Sequence, residues 1–84
     1  MLFYVYDIKI KDKKTRNAVK RRFYYNLNKK FKNVAEKKTR SSILINEKFE
    51  SKIDDFFNEF YGFIDVYKIR AESVERLLEV TPPY

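Results

Sequence analysis

Two stripes of bulky apolar residues constrain this chain more than any other feature. Val19, Phe23, Leu27 and Phe31 recur every four residues, with Ala18 beside them. Phe49, Ile53, Phe56, Phe57 and Phe60 then fall at i, i+4, i+7, i+8 and i+11. Each set occupies one face of a helix, and each must bury that face against something. The flanking segments read as strands. LFYVYDIKI is rich in aromatic and β-branched residues, with Leu2, Tyr4, Tyr6, Ile8 and Ile10 on one side and Phe3, Val5, Asp7 and Lys9 on the other. TRSSILI and FIDVYKI are further strands, whereas KNVAEKK is a short strand or a loop.

The helix boundaries have local signals. Asp12 or Thr15 begins the first, after the loop KDKK. Asn46 reads as the cap of the second, with Glu47 in a first turn that favours negative charge. Gly62, the sole glycine, reads as a left-handed helix end. RAESVERLLEV has Val74, Leu77, Leu78 and Val80 at helical spacing, and is a short helix or an added strand; Pro82 and Pro83 end regular structure. The order is then βαββαβ. The predicted fold class is α+β: a ferredoxin-like sandwich, with a four-stranded antiparallel sheet carrying two helices on one face. Residues 1–84 form a single domain, with 70–84 as a C-terminal extension that contributes to dimerisation. Strand one is apolar on both sides, so the second sheet face is expected to meet a second copy of the chain.

An 84-residue chain buries a modest core. With no Cys there are no disulfides or thiolate metal sites, and with no His there are no Ser-His-Asp triads or imidazole bases. No zinc, haem or nucleotide cofactor is expected. A metal, if used, is a hard ion on carboxylates, magnesium first and manganese second. No apolar run approaches the ~20 residues of a membrane span, and no signal-peptide pattern opens the chain. A cytoplasmic protein without a membrane partner is expected.

The formal charge is +7, and the charge is asymmetric. Lys and Arg crowd between Lys9 and Arg40, while Asp and Glu prevail from Asn46 to Asp65. That asymmetry points to a polyanionic partner, DNA or RNA. Candidate phosphate contacts are Lys11, Lys14, Arg16, Lys20 and Arg21 around the first helix, and Arg40 and Ser42 at the third strand. Tyr24 and Tyr25 stand beside Arg21 and Arg22, where they stack on bases or, more commonly, lie partly buried. An RNA-recognition motif has the same topology, but its third strand needs a glycine and stacking aromatics, and TRSSILI has neither.

Asp7 is the oddity: a carboxylate inside an apolar strand. It either pairs with a nearby Lys or Arg, caps the loop after the strand, or meets its symmetry mate across a two-fold axis and shares a magnesium ion.

YVYDI followed by a TRxxVxxxF helix resembles CRISPR-associated protein two, the small subunit of the spacer-acquisition complex. Members have a first strand ending in Tyr-Asp-Ile or Tyr-Asp-Val and a basic helix to which Arg16 and Val19 correspond. In the family's Gln-x-Ser-Val-Phe strand, Ser42 matches the Ser and Arg40 stands in the place of the Gln; IDVYKI fits the last strand. The resemblance covers roughly residues 2 to 70. It implies a ferredoxin-like homodimer with facing sheets, Asp7 near the two-fold axis as catalytic and metal-binding residue, and metal-dependent endonuclease or endoribonuclease activity in antiviral defence. It also implies an integrase or other protein partner. The related virulence-associated protein D toxins share the fold and cleave RNA. The chain lacks the family's glycine turn after the first helix and a recognisable integrase-docking tail, which leaves room for a stand-alone viral or toxin-operon relative. Three functions follow as expectations: a nuclease, a non-catalytic nucleic-acid binder, or a protein-interaction module with no nuclease activity.

Overall fold

The computed structural model describes residues 1–78. The chain is a small α+β domain with a four-stranded antiparallel sheet and two helices. Strand β1 (Leu2–Ile8) leads to α1 (Lys13–Phe31). Strands β2 (Ala35–Thr39) and β3 (Ser42–Ile45) follow. A 3-10 turn (Glu47–Phe49) then runs into α2 (Glu50–Asn58), and β4 (Ile64–Arg70) closes the order. The sheet order β2-β3-β1-β4, antiparallel throughout, is compatible with a ferredoxin-like sandwich and makes β1 a central strand.

Period-two alternation sorts the sheet into an inner and an outer face. Leu2, Tyr4 and Tyr6 of β1 and Ile43 and Ile45 of β3 are buried on the inner face. Both helices pack there, the first through Val19, Phe23, Leu27 and Phe31 and the second through Ile53, Phe56 and Phe57, joined by Phe60. The core is largely aromatic. Phe23 is fully buried, with ring centroids of Tyr6, Phe56 and Phe60 at 5.0, 5.3 and 5.2 Å. Phe23→Ala would cost about 3–5 kcal/mol, a large share of the ~5–15 kcal/mol holding a small domain together. Ala18 is exposed rather than part of the stripe.

The caps explain the helix positions. Asp12, not Thr15, begins α1: its carboxylate accepts from the Thr15 backbone N–H (2.9 Å) and hydroxyl (2.6 Å). No acid sits in the first turn of α1, but Lys29 and Lys30 sit in its last, where the dipole favours them. Asn46 caps the 3-10 turn by accepting from the Lys48 N–H at 2.9 Å. Gly62 does have a positive φ of 89°, but it lies in the turn leading to β4, beyond the end of α2.

Two elements differ from the sequence expectation. TRSSILI is not one strand: Thr39 belongs to β2, Arg40 and Ser41 form the hairpin turn, and β3 starts at Ser42. A bulge between Lys37 and Thr39 lets the strands meet over a turn with no glycine and no positive φ. Residues 71–78 are neither helix nor strand. They leave β4 through a hydrogen bond from the Ala71 N–H to the Met1 carbonyl (3.0 Å). Residues 74–78 then border a cavity of about 570 Å³ with Phe3, Lys38 and Thr39, so the chain turns back along the outer face. Val80, Pro82 and Pro83 lie outside the described residues.

A basic cleft at the end of the first strand

The cleft is built by three elements. Tyr6 and Asp7 bring the end of β1, Arg16, Asn17, Lys20 and Tyr24 bring one side of α1, and Arg40 and Ser41 bring the hairpin turn. Its volume is about 290 Å³. Two hydrogen bonds hold the walls together. The Tyr6 N–H donates to the Ser41 carbonyl (2.9 Å), tying turn to strand, and the Tyr24 hydroxyl donates to the Arg40 carbonyl (2.6 Å), tying helix to turn. Outside the lining, the Lys37 ammonium lies 4.8 Å from the Tyr24 ring centroid.

Asp7, Arg16, Lys20 and Arg40 therefore converge although they are far apart in sequence. Arg21 borders a neighbouring shallow cleft with Asn17, Lys20 and Tyr24. Lys11 and Lys14 are exposed and line neither cleft. Ser42 lies apart from the cleft. It is 3% exposed, its hydroxyl is hydrogen-bonded to that of Thr39 (2.7 Å), and the alternation of β3 turns it to the outer face beside Val5. Ser41, one residue earlier and in the turn, lines the cleft instead. Tyr24 is half-buried against Phe23 (5.2 Å, edge-on), whereas Tyr25 is exposed under the Lys29 ammonium.

Tyr6 was not singled out from sequence, yet its hydroxyl is exceptional. The side chain is 2% exposed, and among the described residues its hydroxyl is the buried polar side-chain atom without a hydrogen-bond partner. Burial first, and the nearby Tyr24 phenol second, push its pKa well above the usual tyrosine value. The Tyr24 phenol is its polar neighbour and interacts with it weakly, short of full hydrogen-bond geometry, while the Tyr24 proton goes to the Arg40 carbonyl. A stranded buried hydroxyl costs about 1–3 kcal/mol, so such a group in a native fold calls for an absent partner.

Asp7 sits on the outer face, opposite Asp65 of β4 in the strand register. Its side chain is 69% exposed and pairs with the Lys9 ammonium at 3.0 Å. That ion pair raises the Lys9 pKa, with a smaller contribution from Asp65. Asp65 was missed because nothing in FIDVYKI announces its register. Magnesium and manganese ask for near-octahedral oxygen coordination. No group of three or more acidic, His or Cys side chains comes together among the described residues, and Lys9 already occupies Asp7. One protomer therefore does not fit such an ion, and no hydrolytic step follows from it.

Compared with known proteins, the chain matches no family model, no curated sequence and no solved structure. No described helix is long and apolar enough to cross a membrane.

Proposed function

We propose that the chain is a nucleic-acid-binding domain that works as a homodimer through the outer faces of its sheets. One observation carries the reading: Arg16, Lys20 and Arg40, supplied by a helix and a hairpin turn, come together in one cleft instead of scattering over the surface. A cleft focuses potential, and cations gathered there gain more from a phosphate than the same charges spread over a helix face. The net charge of +7 acts in the same direction at longer range. Pairing of outer faces is supported by Tyr67 and Ile69, which are 69% and 46% exposed beside half-buried Phe3 and Val5. The likeness of YVYDI and its helix to CRISPR-associated protein two agrees with both halves of this reading. The test is binding of labelled DNA and RNA at two salt concentrations, with sedimentation of the free protein. Salt-sensitive binding by a dimer is expected. A chain with no affinity at either salt concentration is instead a protein-interaction module.

Nuclease activity is a second reading, favoured by the facing of Asp7 and Asp65 across β1 and β4. Two such pairs brought together by outer-face dimerisation would offer four carboxylates, a donor set the single protomer lacks. Asp7→Asn then abolishes magnesium-dependent cleavage while leaving the fold intact. Cleavage that persists in this variant removes Asp7 from any such role.

A further inference from the structure

The cleft's charge and its stranded hydroxyl specify a narrower ligand than a nucleic-acid backbone. Three cations, Arg16, Lys20 and Arg40, face one carboxylate, Asp7, so the lining carries two positive charges in excess. Asp7 itself is engaged by Lys9. Tyr6 adds a buried donor that lacks an acceptor. The volume of about 290 Å³ is at the bottom of the ~300–1,000 Å³ range of small-molecule pockets, enough for a phosphate with its sugar.

We propose that this cleft seats a phosphomonoester, the terminal phosphate of a nucleic-acid strand. A phosphomonoester carries about −1.5 to −2 charges near neutral pH and three strong acceptor oxygens. It comes closer to neutralising the cleft than an internal phosphodiester with its single charge. Its additional oxygen is also the acceptor that Tyr6 lacks, with Arg16, Lys20 and Arg40 sharing the others. The Tyr6 hydroxyl is screened from water in the free chain, so contact takes a shift of the wall. Tyr24 is the polar neighbour placed to make that shift. The proposal rests on the nucleic-acid reading above, and a free mononucleotide presents the same chemical group.

The experiment is fluorescence anisotropy with the full chain and labelled strands identical except for a 5′-phosphate, a 3′-phosphate, or hydroxyls at both ends. Adenosine monophosphate and adenosine serve as competitors. One phosphorylated strand is expected to bind about tenfold tighter or more than the hydroxyl-ended strand, the yield of a hydrogen bond to a charged group. That advantage should shrink as pH falls through about 6, where the monoester loses its second charge. Tyr6→Phe and Arg40→Ala should each bring the ratio toward one, with folding confirmed by circular dichroism. Equal binding of all three strands overturns the proposal and leaves nucleic-acid binding standing; no binding of any strand removes both. Displacement by adenosine monophosphate as effective as by the phosphorylated strand overturns the strand-end assignment in favour of a free nucleotide.

Discussion

Tyr4 and Tyr6 lie two residues apart on the same face of β1, both buried, and the structure gives their hydroxyls opposite circumstances. The Tyr4 hydroxyl donates to the Asp54 carboxylate at 2.6 Å. Burial, with that hydrogen bond and the charge of Asp54, drives its pKa far above the usual value, so it stays a donor at every working pH. The Tyr6 hydroxyl has no partner. Replacing each by phenylalanine keeps the ring and removes one oxygen. For Tyr4→Phe the loss is a hydrogen bond to a charged acceptor, about 1.5–3 kcal/mol, tempered because Lys68 also holds Asp54 at 2.6 Å. For Tyr6→Phe the ring contacts with Phe23 (5.0 Å) and Phe57 (5.8 Å) survive, while a desolvated, unpaired group disappears. That variant should gain about 1 kcal/mol, the lower end of the penalty for a stranded hydroxyl. In a domain of this size each kcal/mol moves Tm by about 4–8 °C. Thermal melts and urea titrations of the two variants should therefore move in opposite directions from the parent. A Tyr6→Phe variant that melts several degrees below the parent would refute the reasoning, because its hydroxyl would then be holding a bond in the free protein.

Other outcomes follow from the same structure. With three phosphate charges neutralised per protomer by Arg16, Lys20 and Arg40, two on the terminal phosphate and one on its neighbour, log K should fall against log salt with a slope of about −2 on single strands, and Arg40→Ala should make it shallower by about 0.7; an unchanged slope would take Arg40 out of the interface. Ile69→Glu places a charge on the exposed outer face of β4 and should convert the proposed dimer to a monomer in sedimentation, whereas a monomeric parent would dismiss that interface. Hydrogen bonds from Lys68 and then Arg70 hold the Glu50 carboxylate below its usual pKa of 4.5. Its contribution to stability is thus complete above pH 4.5 and lost as pH falls through the lower folded value, so Glu50→Gln should flatten the acid limb of a Tm-versus-pH curve. The Lys68 ammonium is shifted the other way, by Asp54 and Glu50. Its share is complete below 10.5 and lost as pH rises through its higher folded pKa, and Lys68→Met should flatten the alkaline limb.

Much of this architecture was legible because it repeats. The four-residue spacing from Val19 to Phe31 and the stripe from Phe49 to Phe60 leave helices little choice of face, and the alternation of β1 assigns Tyr4 and Tyr6 to the core. What was hidden has specific physical causes. AEKKT is an edge strand with one partner and a polar, exposed pattern, so periodicity hardly marks it. Arg40–Ser41 turns the chain without the glycine or asparagine that normally signals a hairpin, the bulge taking up the geometry. That one-residue difference moves Ser42 from the cleft to the outer face and puts Ser41 in its place. The partner of a hydroxyl is a tertiary matter, which is why Tyr4 and Tyr6 read alike in sequence and differ in the fold.

The position of Asp7 follows from the two faces of the sheet doing different work. On β1 the inner face runs through Tyr6 to Ile8, with Asp7 between them on the outer face, and the cleft opens at this end of the strand. A carboxylate beside three cations would weaken an anion site if it were free. Here Lys9, two residues on and on the same face, compensates it, and Asp65 across the strands draws the same ammonium. The arrangement keeps the outer face nearly neutral at its rim while the cleft remains positive. Removing Lys9 alone would therefore harm phosphate binding more than removing Lys11 or Lys14, although all three are exposed lysines around the connection from β1 to α1. Its loss uncovers Asp7 at the cleft and Asp65 across the strands from it, whereas theirs removes only charge outside the cleft lining. Affinities of Lys9→Met, Lys11→Met and Lys14→Met for one labelled strand at low salt decide the matter: equal losses would mean that net charge alone, and not this arrangement, governs binding.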